Sequence, residues 1–129
     1  MILLDTHVLF WAVDDSKLLS RAAASAIRRA RNSDGVAVSS ISVWELALLF
    51  SRGRIQGHGT VESSVKVILE GVLVRPITPE IAALATQFPD DYPRDPVDRI
   101  IGATARAEGL SLVTRDEKIR RSPLLKTIW

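Results

Sequence analysis

The 129-residue chain contains no cysteine, so it holds neither a disulfide framework nor a thiolate metal site. Histidine is scarce, with only His7 and His58 to offer an imidazole. No apolar run approaches a membrane span, because Asp, Glu, Lys or Arg interrupts each one. The leading MILLDTHV has no basic stretch ahead of its apolar residues and meets an aspartate at position 5, which argues against a secretory signal. Internal repeats, low-complexity segments and linkers are also missing. These absences leave a soluble, cytoplasmic reading with a single domain over residues 1–129 and no membrane partner.

What is present suits a globular core. Apolar residues make up 47% of the chain and charged residues 25%, with Trp11, Trp44 and Trp129 for bulk. Net charge is only +2, yet the pI is near 9.4. If four of the 15 acids gather in one pocket, the other 11 face 17 basic groups, a surplus of six positive charges around an acidic hole. Such a surface suits a polyanion held by its backbone, although an ordinary solvated surface has the same charge count.

The densest chemistry lies in RDPVDRIIGATA, Arg94 to Ala105. Asp95 is a suitable N-cap, Pro96 suits the first helical position, and Asp98 falls at the third, where the helix dipole favours negative charge. Helix-start chemistry therefore explains both aspartates on its own, unless other acids arrive at the same place.

The rest of the chain supplies them. MILL reads as a buried first strand ending at Asp5, followed by a short helix through VLFWAV. Ser20 to Ala30 is a helix with Ser20 as cap, and VAVS is the second strand. ISVWELALLFSRG is the next helix, with Gly53 at its C-terminal end, and here Ser42 and Glu45 match a capping box that places Glu45 in the first turn. A further helix runs from Val61 to Gly71, and VLVRPIT is a strand. Thr78, Pro79 and Glu80 start a helix whose stripe is Ile81, Leu84, Ala85 and Phe88. The proline-punctuated FPDDYPRDP leads into the Asp98 helix, which closes at Gly109. LSLVT is a strand followed by Asp116, and LLKTIW adds a last edge strand. Strands alternating with helices predict an α/β sandwich with a mainly parallel sheet. In such sheets ligands bind beyond the carboxyl ends of the strands, where Asp5, Glu45, Asp98 and Asp116 are all expected.

Carboxylates about 4 Å apart repel by roughly 4 kcal/mol per pair at an effective dielectric near 20, so a cluster needs a counter-charge. Oxygen ligands without thiolates point to a hard divalent cation, Mg²⁺ or Mn²⁺. A phosphodiester is its natural substrate, cut by water attack in line.

At this point the residues resemble a known family. LLDTHVLFW, SVWELAL with GRI after it, DPVDRIIGATA and LVTRD, in that order across essentially the whole chain, are similar to the PIN-domain ribonucleases, in particular the VapC-type toxins. The resemblance implies a PIN-like three-layer sandwich and a metal-dependent endoribonuclease acting on RNA. It further implies a homodimer restrained by a cognate antitoxin that covers the acidic site. Matched residue by residue, the metal-holding and catalytic acids are Asp5, Glu45, Asp98 and Asp116. Asp95 shares Asp98's side of the helix start, so either could face the metal; IIGATA directly after Asp98 and Arg99 favours Asp98 and leaves Asp95 as cap or supporting acid.

Thr6 and Thr114 stand where the resemblance suggests polar support for the metal's ligands. Arg99 and Arg115, each beside a candidate acid, contact phosphate or pair with those acids. His7 reads as a packed or surface imidazole rather than a general base, His58 as a solvated turn residue, and Trp11 and Trp44 as core or interface rather than base-stacking platforms. Two other acid-pocket readings fit less well: a signalling receiver-like domain wants a lysine on a late strand that LVTRD does not offer, and an aspartyl phosphatase wants an acid where His7 stands. The remaining alternative is a noncatalytic RNA-binding or regulatory module.

Overall fold

The computed structural model describes all residues, 1–129. Five strands form one sheet: β1 (Ile2–Leu4), β2 (Val36–Ser39), β3 (Val72–Arg75), β4 (Ser111–Val113) and β5 (Thr127–Ile128). Their order is β3-β2-β1-β4-β5 and every pairing is parallel. Parallel neighbours cannot be joined by a tight turn, so the helices serve as crossovers. They are α1 (Thr6–Asp14), α2 (Arg21–Arg31), α3 (Ser40–Ser51), α4 (Val61–Ile68), α5 (Pro79–Ala85), α6 (Pro96–Glu108) and α7 (Glu117–Arg121), with one 3-10 turn at Ser16–Leu18.

Successive strand residues point to opposite faces, and this divides the core in two. Leu4, Val36, Val38 and Val113 face one layer, where they meet Val8, Leu9, Ile27, Leu46 and Ile68 from α1 to α4. Leu3, Ala37 and Leu112 face the other, against Ile81, Ile101, Ala103 and Ile119 from α5 to α7. The result is the three-layer sandwich expected from the alternating pattern. Full burial on both faces is why MILL, VAVS and LSLV read as continuous apolar runs rather than alternating ones.

Several boundaries shift, each for a local reason. β3 stops at Arg75 rather than running through VLVRPIT, because Pro76 has no N–H to give to a ladder. It is also an edge strand, with Leu73 and Val74 exposed. α4 ends at Ile68, leaving Gly71 in a left-handed turn with φ of 71° before β3. Phe88 lies beyond the end of α5, yet it is buried against the α5–α7 side of the sheet.

The strand order reverses between β1 and β4, two neighbours whose crossovers leave in opposite directions. This switch point opens a crevice at the carboxyl edge of the sheet. Asp5 lies there, its backbone N–H donating to the Val113 carbonyl at 3.0 Å.

Candidate active site

Three of the acids arrive as helix caps. Asp5 caps α1, its Oδ1 accepting from the Thr6 N–H at 2.9 Å. Asp95 caps α6, accepting from the Val97 N–H at 2.8 Å. Asp116 caps α7, accepting from the Ile119 N–H at 3.1 Å. Each cap satisfies an otherwise orphaned donor, so the chain tolerates the charge at no local cost. Asp98 stands at the third position of α6, where the first-turn dipole favours it.

Glu45 reaches the site differently from the sequence expectation. Ser39, not Ser42, caps α3, accepting from the Ile41 N–H at 3.2 Å. The helix begins at Ser40, directly from the end of β2, which puts Glu45 in its second turn and removes the proposed capping box. Ser42 is instead fully buried, its Oγ 2.8 Å from Thr6 Oγ1. The Thr6 hydroxyl also holds down the pKa of Glu45. It has one proton, so donation to Ser42 and to Glu45 are alternatives. Ser42, which the sequence reading assigned to a cap, is instead the buried partner of Thr6. Its position one turn before Glu45 was the available signal.

The four acids line one open cleft of about 430 Å³, together with Asp95. His7, Trp11 and Arg115 complete its polar and aromatic wall. Thr114, fully buried below, joins two of the acids: its hydroxyl donates to Asp5 Oδ2 at 2.8 Å and accepts from the Asp116 N–H at 3.1 Å. Trp11 thus belongs to the cleft wall as well as to the packing on the sheet.

The crowding shows in proton affinity. Burial pushes the Asp98 carboxyl up to about 7, and the charges of Asp5, Asp95, Asp116 and Glu45 push the same way. Asp5 is also raised by burial, partly offset by the hydrogen bonds from Thr114 and Thr6. Glu45 is raised by burial, with Thr6 and His7 pulling it back. No three of these acids, with or without His7, stand close enough to hold an ion as the side chains lie. The donor chemistry still fits a hard cation: all-oxygen side chains in one cleft, with a surplus of negative charge that a divalent ion would relieve.

Arg99 does not join the acids. Its Nε donates to the Pro93 carbonyl at 3.0 Å, Nη1 to Phe88 at 2.7 Å and Nη2 to Pro89 at 3.0 Å. Nη2 also donates to Tyr92 at 3.4 Å, and a rigid five-donor fork suits these four converging carbonyls, tying the loop before α6 to that helix. Arg115 remains exposed on the cleft wall, its guanidinium carbon 5.8 Å from the Trp11 ring centroid. His7 is exposed and lies 6.0 Å from the same ring. Trp44 is 55% exposed and outside the cleft, and His58 sits in a separate shallow hollow beside α4.

A family model described as PIN domain matches residues 2–123. The chain is 42% identical to Ribonuclease VapC22 of Mycobacterium tuberculosis over 130 residues, covering 99% of this chain and 98% of that protein. Among solved structures it is similar to DNA-bound VapBC from Salmonella typhimurium, with a TM-score of 0.73, 19% identity, and coverage of 98% of this chain and 97% of that one. A toxin-antitoxin complex from Klebsiella pneumoniae gives a TM-score of 0.67 at 23% identity, covering 97% and 95%. At those identities the structural likeness is one of fold.

Proposed function

The chain belongs to the PIN-domain family, and from that premise we propose that it is a ribonuclease, the toxin half of a toxin–antitoxin pair, hydrolysing RNA phosphodiester bonds with Mg²⁺ or Mn²⁺. The observation that carries this reading is the convergence of Asp5, Glu45, Asp98 and Asp116 on one cleft at the switch point of the sheet. We take residues 1–129 as one such domain, working in the cytoplasm as a homodimer and restrained by a cognate antitoxin.

In this mechanism Asp5, Glu45, Asp98 and Asp116 are the residues that would hold the cation, their carboxylate oxygens suiting a hard divalent ion. A divalent ion there supplies Lewis-acid polarisation of the phosphoryl oxygens and a lowered pKa for water. Thr114 fixes the orientation of Asp5 and Asp116 through its two hydrogen bonds. Thr6 stands beside Glu45, its hydroxyl shared as alternatives between that carboxyl and Ser42. Asp95 caps α6 and adds to the negative charge that raises the Asp98 carboxyl, and we assign it a supporting place beside Asp98 rather than a ligand's. Arg115 stands where it can meet a phosphate beside the cut. The proton of the attacking water passes to a cleft carboxylate.

Cleavage of a labelled RNA mixture with Mg²⁺ or Mn²⁺, with and without EDTA, tests the reading. Cutting is expected only with metal, lost in Asp98→Asn and largely retained in Asp95→Asn. Metal-independent cutting, or none in any metal, overturns it; loss in the Asp95 variant alone reverses the assignment of the two aspartates. Sedimentation of the full chain measures the dimer.

A further inference from the structure

Arg115 is a cation that the acidic cleft leaves unused. It lines the same cleft as Asp5, Glu45, Asp95, Asp98 and Asp116, and it is the chain neighbour of the last of them. Opposite charges so placed attract, yet Arg115 forms no ion pair with any of the five. Its guanidinium carbon lies instead 5.8 Å from the Trp11 ring centroid, inside the roughly 6 Å reach of a cation–π contact.

Solvation alone explains an exposed arginine without a partner, but it does not place that arginine over a ring. The ring itself is fixed. Trp11 leans on the core formed by α1 to α4, and an aromatic bridge to Trp129 backs it, with 6.2 Å between ring centroids and the planes tilted by 58°. A planar guanidinium stacks on such a face better than a compact ammonium, so the pairing suits arginine in particular. The placement matters to the acids. A guanidinium lying among the carboxylates would neutralise them with the protein's own charge and compete with a divalent ion for the same oxygens.

We propose that Trp11 is a positioning residue that holds Arg115 off the carboxylates, so that the acids stay open to the cation and the guanidinium stays on the cleft wall. Trp11 acts through Arg115, and Trp129 acts through Trp11. The proposal rests on the reading of the cleft as a metal site.

NMR of the full chain, labelled on arginine and kept in EDTA, reads the hold without metal or RNA. The Arg115 Hε signal, assigned by its loss in Arg115→Gln, is expected to carry a ring-current shift that Trp11→Leu removes and Trp11→Phe largely keeps. Calorimetric titration with Mn²⁺ reads the consequence. Trp11→Leu should weaken Mn²⁺ binding by roughly 2- to 5-fold, the factor by which a cation–π contact at an exposed site disfavours the paired state. Removing the guanidinium as well, in Trp11→Leu with Arg115→Gln, should bring the affinity back to that of Arg115→Gln alone. Arg115→Lys keeps the charge and weakens the stack, so it should bind Mn²⁺ more weakly than wild type, and it decides if Trp11→Leu fails to fold. An unshifted Arg115 signal, or wild-type Mn²⁺ affinity in both Trp11→Leu and Arg115→Lys, overturns the proposal. So does a loss in Trp11→Leu that Arg115→Gln does not restore, which is what a tryptophan with only a packing role gives. A ring-shifted Arg115 in a protein that takes up no Mn²⁺ keeps the hold of Trp11 on Arg115 and discards the metal reading.

Discussion

The Thr114 hydroxyl donates to Asp5 Oδ2 at 2.8 Å although 109 positions separate the two residues. The same oxygen accepts from the Asp116 N–H, so one buried side chain sets two cleft acids at once. Outer partners of this kind typically carry a factor of about 10 to 100 in metal affinity or activity. Thr114→Val keeps the shape and removes both bonds, and a loss in that range is expected, with Thr114→Ser restoring most of it. Calorimetric titration with Mn²⁺ beside the cleavage assay measures the effect. Wild-type values in the valine variant would show that the bond does not orient the site.

The raised Asp98 carboxyl makes the cation-free protein pH-sensitive. Between its ordinary 3.8 and about 7, the folded chain keeps a proton that the unfolded chain has released. Stability is then highest below that window and falls as pH rises through it. Asp5 and Glu45, both raised by burial, act in the same direction. The urea midpoint without metal should therefore be lower at about pH 7.5 than at about pH 5. Asp98→Asn should flatten the difference, and saturating Mg²⁺ should restore the midpoint at the higher pH by binding the folded state alone. A midpoint that rises with pH would contradict the electrostatics described for this cleft.

The sheet and its helices were legible because their signals are local and repeated. Apolar runs such as VAVS mark strands buried on both faces, and Ser20, Thr78 and Asp95 announce helix starts through their own capping chemistry. The same local logic misplaced the start of α3. Ser42 and Glu45 satisfy a capping box on paper, but the chain turns into helix straight from β2, and Ser39 takes the cap. Arg99 was misread for the opposite reason. Its neighbour in sequence is Asp98, while its partners are carbonyls six to eleven positions away, in a loop whose path no periodicity encodes. The aromatic bridge was hidden too, since Trp11 and Trp129 lie at opposite ends of the chain and meet only when β5 closes the sheet.

Arg99 offers a direct test of that reassignment. A guanidinium spread over the Phe88, Pro89 and Pro93 carbonyls holds the loop, so Arg99→Lys, with a compact ammonium, should fail to replace it. Both Arg99→Lys and Arg99→Ala are expected to lose about 1–3 kcal/mol of stability in urea unfolding. The salt dependence of RNA binding should be unchanged in Arg99→Lys, whereas a phosphate-contacting arginine would alter it. A stable Arg99→Ala with a flattened salt slope would return Arg99 to the substrate.

Gly102 controls how closely α6 approaches that same loop. A Cβ there would collide with the Tyr92 hydroxyl and lie 2.8 Å from Phe88 Cε2. Tyr92 is only 1% exposed and packs edge-on against Phe88 at 4.7 Å, so it has nowhere to retreat. Its hydroxyl also donates to the Asp98 carbonyl at 3.4 Å, which links this contact to the turn that presents the Asp98 carboxylate. Alanine gains up to about 1 kcal/mol in helix propensity over glycine, but overpacking a filled core costs about 1–3 kcal/mol. The collision should win, and Gly102→Ala is expected to be destabilised, with less cleavage per folded molecule because Asp98 moves with the helix. Tyr92→Phe removes the oxygen that the new methyl meets. The double variant Gly102→Ala with Tyr92→Phe should therefore recover part of the loss, a coupling that urea unfolding of the four proteins in the cycle measures. Wild-type stability in Gly102→Ala, or strict additivity across the cycle, would mean that α6 and the loop have slack and that the glycine does not set the position of Asp98.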